Sequence, residues 1–158
     1  MRKFAANYLI SDSGLFLKNG IVILGEDGLV VQYIDTKDDI KEIEQLIFHN
    51  GVLMAGFKFT KTNSENLRFE SDQLFRSFVL RATADSTQFS IQDLIDLGKQ
   101  LQVQFPEMKI PAIFDEITVT LQTDGGFTKE TIPGIYLLIG TDLVGLHFTS
   151  RSKLKKIM

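Results

Sequence analysis

The beginning of the chain shows the alternation of apolar and polar residues that is typical of half-buried strands. The alternating apolar positions are Phe4, Ala6, Tyr8 and Ile10. Two further segments, Gly20–Leu24 and Leu29–Ile34, are rich in β-branched residues, which favour extended backbone. Between them lies Gly25–Gly28, a short glycine-bounded segment that predicts a hairpin turn. The pattern therefore predicts several strands within residues 3–34.

A charged stretch and a second strand-like stretch follow. Residues Asp35–Glu44 are largely charged, which predicts a loop or a short exposed helix. Gln45–Phe57 returns to apolar, strand-like residues. Within it, the pair Asn50-Gly51 is a common turn sequence, so we expect a turn to interrupt this stretch.

The middle of the chain has apolar residues at helical spacing. Ser71 is expected to cap a helix over residues 71–82. Its apolar stripe consists of Leu74, Phe75, Phe78 and Val79. Ser90 and Asp93 form the pattern of a capping box, which predicts a second helix over residues 90–105, ending at Pro106. A third helix is expected from Pro111 onward, while the sequence Ile117–Thr120 within it also suits a strand.

Strand-like residues return after Gly125-Gly126. The expected strands are Ile135–Ile139, a shorter stretch around Leu143–Phe148, and Leu154–Ile157. The order of strands, then helices, then strands predicts an α+β fold, in which both ends of the chain pair into a single sheet layer. We expect a β-sheet or sandwich-like domain with about three inserted helices. We expect a single domain over residues 1–158, with N-terminal strands in 1–57, a helical insert in 66–122 and C-terminal strands in 132–158.

Length and charge exclude several classes of protein. The chain has 158 residues, whereas a complete (β/α)8 barrel needs about 250. Seventeen Lys and Arg stand against 20 Asp and Glu, giving a net charge of −3, with no block of one sign. This balance argues against a nucleic-acid partner, which requires clustered cations. The longest apolar runs are far shorter than the roughly 20 residues that span a bilayer, so no membrane partner is expected.

The residue inventory also limits the possible chemistry. The chain has no cysteine, and its two histidines, His49 and His147, are far apart in the sequence. Each histidine is therefore expected to have a structural or solvent-facing role, since neither has a nearby partner that would make it a base. The segment Met1–Ile10 lacks the apolar stretch and cleavage site of a secretory signal, so a cytoplasmic location is expected.

An ordered series of short motifs resembles the amidohydrolase superfamily of metal-dependent hydrolases, especially its deaminase-like branch. Asn50–Phe57, with the sequence NGVLMAGF, is similar to the family pattern N-G-x-L-x-P-G-F. Further segments match the family in the expected order on both sides of this motif. They are Ala6–Ile10 and Leu17–Val22 before it, and Phe89–Leu94, Leu101–Glu107 and Ile132–Leu138 after it. The resemblance implies a composite β-domain built from both ends of the chain. It also implies a barrel that holds zinc or iron and hydrolyses C–N bonds.

Two departures from the family pattern concern the catalytic site. Lys61 and Asn63 stand where the family has its metal-binding His-x-His, and an ammonium group donates hydrogen bonds but offers no lone pair to a metal. Asp85 weakly matches the final barrel aspartate, and only about twenty residues separate Glu65 from Ala84, where the family has most of its barrel. The resemblance therefore implies a chain without metal ligands, cofactor or catalytic residues.

The favoured hypothesis is a barrel-less, non-catalytic amidohydrolase-like protein that acts as a structural or interaction module. One alternative is a surviving metal-dependent hydrolase that acts on C–N bonds through carboxylates such as Glu65, Asp85 and Glu116. Another is a ligand-binding or regulatory subunit of an intact amidohydrolase. Lys61 and Glu65 could pair across a helical turn, either as a plain surface pair or with the ammonium replacing a lost metal.

The aromatic content points to association. Thirteen phenylalanines are enough to fill a core and leave some for an interface. Loss of a barrel would also expose the apolar face on which it packed, and such a face is rarely tolerated on a monomer. We therefore expect a homodimer, with Phe75 and Phe78 as interface residues.

Overall fold

The sheet contains strands from both ends of the chain, as the sequence predicts. The computed structural model describes residues 1–37, 45–63, 67 and 71–158. Within them are eight strands and three helices, which form an α+β fold with an open, mixed sheet and no closed barrel. The strands are β1 (Arg2–Ile10), β2 (Phe16–Lys18), β3 (Ile21–Leu24), β4 (Val30–Ile34), β5 (Leu46–Lys61), β6 (Gln88–Ser90), β7 (Phe127–Ile139) and β8 (Lys153–Lys156). The helices are α1 (Leu74–Thr83), α2 (Ile91–Gln104) and α3 (Ile110–Thr123).

The order of the strands brings the sequence ends together. It runs β4-β3-β1-β5-β7-β8, with β2 paired to β1 and β6 paired to β5. Strand β1 is parallel to β5 and antiparallel to β2 and β3. The expectation that the N-terminal strands and Ile135–Ile139 share one sheet is therefore confirmed.

The chain divides into two compact units. The first contains Met1–Gly56, Thr131–Gly145 and Thr149–Met158, and the second contains Phe57–Glu130 and Leu146–Phe148. In the first unit, apolar residues of β1, β3, β5 and β7 pack into one buried cluster: Phe4, Ala6, Leu9, Val22, Leu24, Leu53, Ile135 and Leu137.

The hairpin between β3 and β4 forms as predicted. Gly28 has a φ of 80° and its N–H donates to the carbonyl of Gly25 at 3.1 Å. The Asp27 carboxylate accepts from the N–H of Leu29 at 3.0 Å. The glycine therefore supplies a left-handed backbone, and the aspartate satisfies the next donor.

Strand β5 corrects the prediction of a turn at Asn50-Gly51. The strand is continuous over 16 residues, and the pair forms a bulge within it. The register with β1 changes from Ala6 opposite His49 to Tyr8 opposite Val52, so β5 contains one additional residue. A glycine with strand-like residues on both sides is therefore compatible with a bulge as well as with a turn.

The helix α1 begins later than predicted. Ser71 does not cap it: the N-cap is Gln73, which makes no capping hydrogen bond through its side chain. Instead, the Ser77 hydroxyl donates to the carbonyl of Ser71 at 2.7 Å and accepts its N–H at 2.8 Å. Leu74, expected on the buried stripe, is 68% exposed.

The other two helices agree more closely with the sequence. Ser90 and Asp93 form the capping box, since the Ser90 hydroxyl accepts the Asp93 N–H and the Asp93 carboxylate accepts the Ser90 N–H. The ambiguous stretch Ile117–Thr120 is helical, within α3. The Thr120 hydroxyl donates to the carbonyl of Glu116 at 2.7 Å, which satisfies a side chain that could otherwise favour a strand.

The C-terminal strands differ from the expectation in extent. Strand β7 begins at Phe127 and not at Ile135, and β8 covers Lys153–Lys156. The strand expected over Leu143–Phe148 is wrong, because this segment forms turns between single bridges at Asp142 and His147. The Asp142 carboxylate accepts from the N–H groups of Val144 and Gly145, which favours the turn.

Most of the charged stretch Asp35–Glu44 lies outside the described residues. In the described part of the chain, no helix is both long enough and apolar enough to cross a membrane.

Replacing Gly51 should destabilise the first unit more than replacing another glycine with a positive φ. Gly51 has a φ of 140°, and a Cβ there would lie 2.5 Å from the carbonyl oxygen of Leu138. Gly14 has a φ of 86°, but a Cβ there would meet no atom within 4 Å. We expect Gly51→Ala to lower the free energy of unfolding by about 2–4 kcal/mol, and Gly14→Ala by about 1 kcal/mol. Urea unfolding measures both, and equal losses would contradict the steric role of Gly51.

Candidate functional site

The side chain of Lys61, in the first of the two positions where the resemblance to the amidohydrolases leads us to expect a histidine, is held by two contacts. Its ammonium group donates to the carbonyl oxygen of Ala84 at 3.0 Å and lies 5.2 Å from the centre of the Phe127 ring. Its backbone N–H donates to the carbonyl of Thr87 at 2.8 Å. The end of β5 thus fixes Lys61 against the segment that follows α1. A carbonyl dipole and an aromatic face both stabilise a cation.

The segment after Lys61 is fixed to the beginning of β7. The N–H groups of Thr62 and Asn63 both donate to the carbonyl of Gly126, at 3.0 and 3.2 Å. The hydroxyls of Thr62 and Thr128 lie 2.6 Å apart, at hydrogen-bond distance. Gly126 has a φ of 74°, and a Cβ on it would collide with the carbonyl of Asn63. Lys61 and Asn63 therefore lie on backbone that is held by several hydrogen bonds.

Asp85 is adjacent in sequence to the residue that binds Lys61. Its side chain is exposed, and it follows Ala84, whose carbonyl accepts the ammonium proton. The structure thus brings Lys61 to the segment that contains the third family-matched position. Among the residues that the structure describes, no group of three or more histidine, aspartate or glutamate side chains could hold a metal ion.

The two described carboxylates of the alternative hydrolase hypothesis, those of Asp85 and Glu116, lie on different segments of the second unit. Glu116, on α3, lies 3.4 Å from the Nε atom of Arg76 on α1, in a half-exposed ion pair. Glu65 lies outside the described residues, and so does its suggested pairing with Lys61.

The two histidines lie in different units. The His49 ring stacks on Phe4, with 6.2 Å between the ring centres and 21° between their planes. The Nε2 atoms of His49 and His147 are both buried, and neither has a hydrogen-bond partner in the described part of the protein. A ring nitrogen that solvent does not reach is poorly placed to exchange protons with a substrate.

A cleft of about 400 Å³ opens beside His49 in the first unit. Phe4, Ile47 and Ile157 line its apolar part, and Arg2 and Lys3 contribute two cations. The sequence does not reveal this cleft, because it combines residues near the two ends of the chain with the beginning of β5. The one indication of this cleft in the sequence is that two adjacent cations, Arg2 and Lys3, directly precede the apolar residues of β1.

Tyr33, on the edge strand β4, has a half-buried side chain close to Asp12. Burial raises the pKa of its phenol to about 12, and the nearby Asp12 carboxylate contributes to the rise. The Tyr33 hydroxyl accepts a hydrogen bond from the backbone N–H of Asp12 at 3.2 Å. This tyrosine therefore remains protonated at neutral pH and links β4 to the loop after β1.

The two interface candidates of α1 have different environments. Phe75 is 8% exposed and packs on Phe105, with 5.3 Å between the ring centres, so it belongs to the interior of the second unit. Phe78 is half-buried. Leu74, one turn before Phe78, is largely exposed. The large apolar side chains at the surface of α1 are therefore Leu74 and Phe78.

Removing the ammonium group of Lys61 should destabilise the second unit. Lys61→Met retains the apolar stem but leaves the Ala84 carbonyl without its donor, and we expect a loss of about 1–2 kcal/mol in the free energy of unfolding. Lys58→Met is the matched control on the same strand, because Lys58 forms an exposed pair with Glu130 at 3.8 Å. That change should cost less than about 0.5 kcal/mol. Equal effects in chemical denaturation would show that the contacts of Lys61 are not structural.

Comparison of the chain with family models, with curated proteins and with solved structures gives no match. The resemblance to the amidohydrolase superfamily therefore rests on the short motifs of the sequence, such as Asn50–Phe57, and on the residues found in them.

Proposed function

We propose that this protein is a non-catalytic interaction module, related to the composite β-domain of the amidohydrolases and lacking their barrel. Two features support the relationship. The motif Asn50–Phe57 lies in β5, and the C-terminal segment Ile132–Leu138 lies in β7, beside it in the sheet. Adjacency of these two segments is what a β-domain composed of both chain ends requires.

The observation that carries the non-catalytic role is the environment of Lys61. Its ammonium group already donates to the Ala84 carbonyl and faces the Phe127 ring. A divalent cation at this position would be repelled by the positive charge and would find no lone pair on the ammonium nitrogen. The residues present therefore do not fit the zinc or iron that the resemblance implies, and no step of a metal-dependent reaction is assigned to them.

Metal content tests the non-catalytic role. We expect elemental analysis of the purified protein to show no stoichiometric zinc or iron. The double variant Lys61→His/Asn63→His restores the two imidazoles of the family pattern, and we expect it to remain without stoichiometric metal, because at least one further ligand is normally needed. Stoichiometric metal in the natural protein, together with turnover of a deaminase substrate that a chelator abolishes, would overturn the proposal.

We further propose that the module forms a homodimer through the surface of α1 formed by Leu74 and Phe78. Leu74 is 68% exposed and Phe78 is half-buried, and residues four apart lie on the same face of a helix. Apolar side chains grouped on a surface gain free energy when a second copy removes them from water. A stable interface commonly buries about 800 Å² on each partner, so α1 would form its centre and not its whole extent.

Light scattering at micromolar concentration measures the association. We expect a mass near twice the 17.8 kDa of one chain, and a mass near that of one chain for Leu74→Asp or Phe78→Asp. Val103→Asp is the matched control, since Val103 is an 82% exposed apolar residue on another helix, α2. A natural protein with the mass of one chain would contradict the dimer. Dissociation by the control variant as strongly as by the α1 variants would contradict its location.

A further inference from the structure

Strand β8, at one edge of the sheet, carries a local excess of positive charge. Arg151, Lys153, Lys155 and Lys156 lie within six consecutive residues, and all four are exposed. The 158 residues together have a net charge of −3, so this edge has the opposite sign to their sum. We refer to these four residues as the basic edge.

The charges of the basic edge are not neutralised within the described part of the protein. No ion pair or side-chain hydrogen bond there engages the charged groups of Arg151, Lys153, Lys155 or Lys156. Four cations so close together raise the local electrostatic potential and attract anionic groups. Carboxylates of a partner could therefore approach without displacing carboxylates of this chain.

Within the described residues, the backbone of β8 also has hydrogen-bonding groups that no neighbouring strand engages. Among the described strands, β8 pairs with β7 alone, and it lies at the end of the strand order. The N–H of Ile157 donates to the carbonyl of Ile135 at 3.0 Å, just beyond the end of β8. Because alternate residues of an antiparallel strand point their N–H and C=O groups toward the same neighbour, those of Leu154 and Lys156 point away from β7.

We propose that the basic edge binds an acidic polypeptide segment in extended conformation, which adds to the sheet beside β8. The free backbone groups would bind the main chain of the segment, and the four cations would bind its carboxylates. A second copy of this chain is a poor occupant, because two basic edges would repel each other. This inference goes beyond the proposed function, and it does not depend on descent from amidohydrolases or on the α1 interface.

Single-stranded nucleic acid is also anionic but fits the edge less well. Binding of that kind combines phosphate contacts with bases stacked on aromatic side chains. Residues 149–158, which contain β8, include no aromatic residue. The free N–H and C=O groups of a strand edge, in contrast, match those of an extended peptide.

Fluorescence anisotropy with a short labelled peptide, in which glutamate alternates with valine, tests the proposal on the full chain. We expect saturable binding that weakens with added salt. The variant Lys153→Gln/Lys155→Gln/Lys156→Gln should bind the peptide about tenfold more weakly, since it removes three charges from the contact. The matched control Lys18→Gln/Lys99→Gln/Lys109→Gln changes the net charge equally elsewhere and should alter the affinity by less than about twofold.

A second probe separates strand addition from simple charge attraction. The same peptide with N-methyl groups on alternate residues keeps its carboxylates but loses the N–H groups that would pair with β8, and we expect its affinity to fall about tenfold. Absence of peptide binding, equal binding of the methylated peptide, or equal effects of the edge and control variants would each overturn the proposal. Tighter binding of an unstructured oligonucleotide than of the peptide would also overturn it, in favour of a nucleic-acid partner.

Discussion

The pairing of β1 with β5 is the interaction on which the sheet of this protein depends. The two strands are parallel and far apart in the sequence, and the hairpin strands β2, β3 and β4 lie between them along the chain. Their ladder contains an additional residue in β5, where Gly51 adopts a φ of 140°. The Gly51 N–H donates to the side-chain oxygen of Asn7 at 2.7 Å. A carboxamide thus provides the acceptor that the interrupted ladder lacks, so that the donor is satisfied away from solvent.

The central position of β5 follows from this pairing and explains its sequence. Residues 51–57 are buried without interruption, as is typical of a strand with neighbours on both edges. Because β1 occupies one edge of β5 and β7 the other, the C-terminal strand β8 is left at the border of the sheet. Its exposed lysines are then in keeping with an edge that does not pair with a second copy of itself.

The residues to which we assign structural or binding roles lie at the end of β5, on the surface of α1 and on the edge strand β8. At the end of β5, where the resemblance implies metal ligands, Lys61 makes structural contacts with Ala84 and Phe127. Exposed apolar residues occur on α1, and exposed cations occur on β8. Both arrangements suit binding by surfaces, which needs complementary charge and apolar area but no enclosed, water-excluding site.

The sequence by itself determined those parts of the structure that depend on neighbouring residues. The turn Gly25–Gly28, the capping box of Ser90 and Asp93 and the period of α2 all follow from local hydrogen bonding and side-chain spacing. The inability of Lys61 to bind a metal ion also follows from the sequence alone, because it concerns the chemistry of one side chain. Tertiary structure decided what depends on distant partners. Asn50-Gly51 forms a bulge because the Asn7 side chain, on β1, accepts the Gly51 N–H. Leu74 is exposed because α1 is oriented so that Phe75 packs on Phe105. The four cations of the basic edge can be read from the sequence, but the sequence does not show that β8 is the last strand in the sheet. Only the pairing of strands from both chain ends places β8 there and leaves one side of it open to a partner.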